Sequence, residues 1–191
     1  MTPPEKELET RKTQAFKEQL CNSFREDDSD ANRRKWARFI VENKDIDLKE
    51  LIGLIHAERF IALRFIWMVG CICEIEPGVV YPSIPYFFSQ RKEVRIPNFN
   101  SSLAKMFLLA GIPGGIEGEA IDEMFRWLLD ASTNGSTKSR TLSALYNLTG
   151  KYDGLKNELK IVLEDQLNKN SSSFGKQAKK VLEKLEHQKT E

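Results

Sequence analysis

Apolar residues recur at helical spacing through most of this chain. Four such runs begin near Leu51, Val80, Ile121 and Leu155, and each is followed, after a short break, by a second helical run. The second runs contain Ala62-Leu63-Arg64, Leu103-Ala104-Lys105, Ser139-Arg140-Thr141 and Lys179-Lys180-Val181. The pairs succeed one another roughly every 35 to 40 residues, the period of helical solenoids. No segment alternates apolar and polar residues between turn signals for long enough to make a strand; Gly78-Val79-Val80-Tyr81 is short and runs into Pro82. The pattern therefore predicts an all-helical chain.

The boundaries follow from local chemistry. Residues 5–24 carry sparse apolar positions, Leu8, Ala15, Phe16 and Leu20, and predict a weakly amphipathic arm or first helix over residues 1–30. A polar break at residues 25–30 ends in Asp30, a candidate cap for a helix over residues 31–43 with Trp36, Phe39 and Ile40 on its buried face. Asp47, with Glu50 three residues on, is an N-cap signal for residues 48–56. Residues 59–76 are apolar almost all round, so this helix must be covered on several sides; Pro77-Gly78 stops it. Pro82 and Pro85 predict a kinked helix within residues 79–90. Further helices are expected over residues 101–110, 119–131, 137–149 (capped by Ser136), 155–167 and 175–187. Residues 31–191 then form one helical repeat domain.

Composition narrows the function classes. The 191 residues hold 29 Lys+Arg against 28 Asp+Glu, so the chain as a whole exerts no bulk attraction on nucleic acid or acidic membranes. Three cysteines are an odd number and suit a reducing compartment rather than a disulfide framework. Residues 1–23 have no apolar centre of the secretory type, and residues 60–73, the most apolar window, are too short to cross a bilayer and include Arg64. A cytoplasmic location without membrane association is expected.

The helical pairs from Asp47 onward resemble HEAT-like repeats of the armadillo-type superhelix. The resemblance rests on the mid-helix prolines Pro82 and Pro85 and on the basic residue opening each second helix, Arg64, Lys105, Arg140 and Lys180. Apolar residues follow at two and five positions: Ile66 and Val69, Phe107 and Ala110, Leu142 and Leu145, Leu182 and Leu185. It covers about three-quarters of the chain. It implies a right-handed α-α superhelix in which each basic residue bonds to an acid or amide of the preceding turn. Glu58 and Asn134 stand in that place, whereas Phe99 and Phe174 break the pattern. A repeat fold carries no activity with it.

No residue set identifies a reaction, a catalytic group, a metal site or a cofactor. Cys71 and Cys73 are two apart on a helix and face different ways, and His56 and His187 lie far apart in sequence. Residues 111–118 are glycine-rich, but no strand precedes them, no P-loop lysine follows, and Glu117, Glu119, Asp122 and Glu123 repel an anion. Residues 171–176 faintly echo the serine loop of the fumarase and adenylosuccinate lyase superfamily. They lack its continuation, and lyase activity is not supported. The expected function is a non-enzymatic scaffold that presents its concave face to a protein or peptide. The exposed candidates near that face and the glycine-rich loop are Arg64, Lys105, Glu117, Glu119, Arg140 and Tyr146. The alternative is a nucleic-acid binder resembling HEAT-like DNA alkylation-repair glycosylases, with Trp127 and Asp130 one helical turn apart; charge neutrality weighs against it.

Overall fold

The computed structural model describes the backbone of residues 3–187 and the side chains of residues 11–187. Every regular element among them is helical. Leu8, assigned from sequence to the apolar face of the arm, lies outside the described side chains. The chain divides into two compact units, Met1–Phe99 and Asn100–Glu191.

The first unit opens with α1 (Pro3–Glu26) and α2 (Asp30–Glu42). Next come α3 (Leu48–Leu51), which runs on as a 3-10 turn over Ile52–His56, and α4 (Arg59–Ile75). Helix α1 lies against α3, and α2 against α4. The N-terminal segment is thus itself a packed pair. Its stripe is Phe16, Leu20 and Phe24, spaced four apart, with Leu20 and Phe24 fully buried. Helix α4 fills the centre, covered by α1, α2 and the elements on either side of it in the chain, and Phe65, Ile66, Met68, Val69 and Ile72 are out of water altogether. Each such side chain contributes about 1.5–3 kcal/mol of burial.

Glu76 turns extended ahead of Pro77, which ends α4 and occupies the first turn of α5 (Pro77–Val80). The kinked helix expected over residues 79–90 is realised in pieces: α5, a 3-10 turn over Tyr81–Ser83, and α6 (Ile84–Ser89). Pro85 has no N–H to return to the Tyr81 carbonyl, so the turn before it tightens. Phe39, which periodicity places inside, is 42% exposed, lying over the Phe16 ring with centroids 6.1 Å apart.

The second unit holds α7 (Phe99–Ala110) from Asn100 onward, then α8 (Glu117–Leu129), α9 (Gly135–Leu148), α10 (Asp153–Gln166) and α11 (Ser172–His187). Gly111, at φ 85°, ends α7 in the left-handed region, its N–H returning to Phe107 at 3.1 Å. Helices α8 and α9 pack as one pair and α10 and α11 as the next. The pairs meet like against like, α8 on α10 and α9 on α11. Helix α7 joins through the stacked rings of Phe107 and Trp127, 6.4 Å apart.

Two caps sit one or two residues from their expected places. Ser29, not Asp30, caps α2 by accepting from Asn32 N–H, and Asn134, not Ser136, caps α9 by accepting from Thr137 N–H at 2.9 Å. Asp47 caps α3 as its spacing predicts. Among the described residues, no helix is long and apolar enough to cross a membrane.

Candidate partner-binding face

Helix α9 contains no acid. Thr137, Thr141, Leu142, Ala144 and Leu145 form its buried side, leaving Ser139, Arg140, Ser143 and Tyr146 half-covered and Asn147 exposed. Its position is set by polar links to both neighbours. Arg140 donates from Nη1 to the carbonyl of Ser101 on α7 at 3.0 Å and to its Oγ at 2.6 Å. On the other side, Gln177 of α11 donates from Nε2 to the Ser139 carbonyl and to Ser143 Oγ, both at 2.9 Å, while its Oε1 accepts from Ser139 Oγ at 2.5 Å. The Lys184 ammonium stands 5.5 Å from the centre of the Tyr146 ring.

Lys138 is only 2% exposed and donates to Asn170 Oδ1 at 2.7 Å, so burial pulls its pKa down, Asp130 opposing. Tied to the turn between α10 and α11, it is a positioning group beneath the face.

Charge is sorted between the two kinds of helix in this unit. Helix α8 carries Glu117, Glu119, Asp122 and Glu123 against Arg126, and α10 carries Asp153, Glu158, Glu164 and Asp165 against Lys156 and Lys160. The helices beside them reverse the sign. Helix α7 has Lys105, α9 has Lys138 and Arg140, and α11 has four lysines against Glu183 and Glu186.

The remaining candidates from sequence fall elsewhere. Glu117, expected exposed, is 8% exposed at the first turn of α8. Lys151 Nζ donates to its two oxygens at 2.9 and 2.7 Å, and Tyr152 Oη donates at 2.6 Å. These hydrogen bonds, Lys151 first and Tyr152 second, hold the Glu117 carboxyl below the usual glutamate range, and the same contact pushes the Lys151 ammonium up. The group braces the start of α8 against the turn after α9. Glu119 is exposed on α8. Lys105 is half-buried on α7.

Arg64 belongs to the first unit. It pairs with Asp28 at 2.7 Å, not with Glu58, which takes Arg25 at 2.8 Å, and its guanidinium lies 4.5 Å from the Phe60 ring and 5.3 Å from that of Trp67. Asn134 likewise serves as a helix cap and not as the partner of Arg140. Arg64 thus reaches the turn between α1 and α2, and Arg140 reaches α7, because an arginine stem spans further than the preceding turn.

Sequence reasoning missed Gln177, Ser143 and Lys184 on this face. Their signal was the absence of acids from α9. Cys71 and Cys73 are buried, and no three His, Cys, Asp or Glu side chains among the described residues converge so as to hold a metal ion. Set against protein families, characterised proteins and solved structures, the chain matches none.

Proposed function

We propose that the chain is a non-enzymatic scaffold of HEAT-like helical pairs that binds a protein or peptide segment along the α9–α11 face. The stacking of successive pairs, like helix beside like, supports the repeat reading, since such stacking makes an extended surface without a catalytic centre. The free cysteines are compatible with the cytoplasm as its location.

The observation that carries the proposal is the surface of α9. It is held rigidly from both sides by Arg140 and Gln177, and it presents hydroxyls, an amide and one tyrosine with no acid. Rigid presentation lowers the ordering cost of binding, and tyrosine supplies contact area with few torsions to fix.

A displayed library of random dodecapeptides, selected on the intact chain, tests it. Selected peptides should lose at least tenfold in affinity when Tyr146→Ala removes the ring or Ser143→Trp crowds the face. Peptides indifferent to both substitutions place binding elsewhere and overturn the proposal.

A further inference from the structure

Helix α11 is divided along its length. Phe174, Ala178, Val181 and Leu185 form the buried stripe. Glu186 turns towards α10, where it pairs with Lys160 at 3.0 Å. On the opposite flank Gln177 and Lys184 touch α9, and on that same flank Lys176, Lys180 and Lys184 recur every four residues as one exposed ridge. Lys176 and Lys180 form no ion pair with any described residue. A row of three ammonium groups therefore borders the acid-free surface of α9, and the acid that α11 places beside the row, Glu183, leaves it net positive.

We infer that the partner segment is an acidic polypeptide lying extended along this ridge, with carboxylates at alternate positions. This rests on the assignment of α9–α11 as the binding face. Four residues of α-helix advance about 6 Å, and two residues of extended chain advance about 6.6 Å. Over two intervals the mismatch is about 1 Å, within reach of flexible lysine stems. In an extended chain alternate side chains share one side, so carboxylates at every second residue all point to the ridge. The intervening backbone meets the exposed Asn147 of α9, whose amide can bond it.

A single-stranded nucleic acid fits less well. Its bases need aromatic platforms, and among the described residues the open sides of α9 and α11 supply Tyr146, already under Lys184, and at the far end of α11 the small ring of His187.

The test uses the full chain and fluorescence anisotropy with three labelled probes: a dodecapeptide alternating glutamate and serine, one alternating glutamine and serine, and a twelve-nucleotide oligo-dT. The glutamate peptide should bind best and weaken as salt rises. K176E/K180E/K184E should reduce its affinity by about tenfold, the scale of three exposed ion pairs, while the chain still melts cooperatively; K176E/K180E, which spares the Lys184–Tyr146 contact, should lose part of that affinity with an unchanged melting curve. Lys169→Glu, which is off the ridge, should leave it unchanged.

A glutamate peptide that binds no better than the glutamine one overturns the inference. Tighter binding of oligo-dT, lost in the triple variant, overturns it in favour of a nucleic-acid face. If neutral library peptides map to Tyr146 while the glutamate peptide fails, the scaffold stands and this inference alone falls.

Discussion

Replacing Glu117 by glutamine removes the charge of a buried carboxylate and keeps its shape. In the folded chain that carboxylate accepts bonds from Lys151 at 2.9 and 2.7 Å and from Tyr152 at 2.6 Å. It also stands in the first turn of α8, where unpaired amides favour negative charge. Hydrogen bonds to a charged group contribute about 1.5–3 kcal/mol. The Lys151 side chain is 57% exposed, so water screens its share. The expected loss is about 2 kcal/mol, lowering the melting temperature of a chain this size by about 4–8 °C. Acid titration separates charge from shape. Because hydrogen bonds hold the folded pKa below the ordinary value of 4.5, the unfolded chain protonates first as acid is added. The stabilisation is complete above that value and fades as pH falls through the lower, folded one. Calorimetric melts of both proteins, from about pH 7 down to the lowest pH at which they still melt cooperatively, should show a gap that narrows below about pH 4.5. A gap of constant width, or none at neutral pH, refutes the brace.

Other substitutions probe the supports of the face. Arg140→Ala leaves the buried Ser101 carbonyl without its guanidinium partner and should cost about 1.5–3 kcal/mol in urea denaturation, with Arg140→Lys recovering part of it. Lys138→Met replaces a buried cation whose pKa burial lowers. The unfolded lysine holds its proton to higher pH, so stability should rise with pH between the folded value and about 10.5 in the parent. The methionine variant should lose that slope, as urea midpoints measured across pH would show. Gly111→Ala forces a side chain into the left-handed region at φ 85° and should destabilise the chain by about 1–2 kcal/mol in the same assay.

The helices were legible where burial dictates the pattern. Helix α4 is apolar on all sides and ends one residue from the expected place, because a proline stops it whatever its neighbours do. Helix α1 was harder to read. Among its described side chains the stripe is Phe16, Leu20 and Phe24, set among many charges, and their four-residue spacing shows its worth only once α2 and α4 are there to receive it. The caps slipped for a chemical reason. Ser29 stands beside Asp30, and Asn134 two residues before Ser136, and each is a competent acceptor, so the choice depends on where the first turn closes. Phe39 was misplaced because periodicity marks a face without saying whether a neighbour covers it.

The candidate face was hidden by averaging. A near-neutral total says that the whole chain carries little field, but a partner meets one layer at a time. In the second unit the acids of α8 and α10 lie together, and the bases of α7, α9 and α11 fall on the other helices. The sorting becomes visible only when it is known that α8 neighbours α10 and α9 neighbours α11, contacts between helices that are not consecutive in the chain. At a Debye length of about 8 Å in physiological salt, the field on a bound segment comes chiefly from the layer it touches. Sorting of this kind would have been without effect if each base were neutralised locally, as Lys160 is by Glu186 and Lys151 by Glu117. Lys176 and Lys180 are not, and they lie beside an acid-free helix that is fixed in place. The charge left over is therefore directional, which is the property a binding face needs and which a sum over the chain removes.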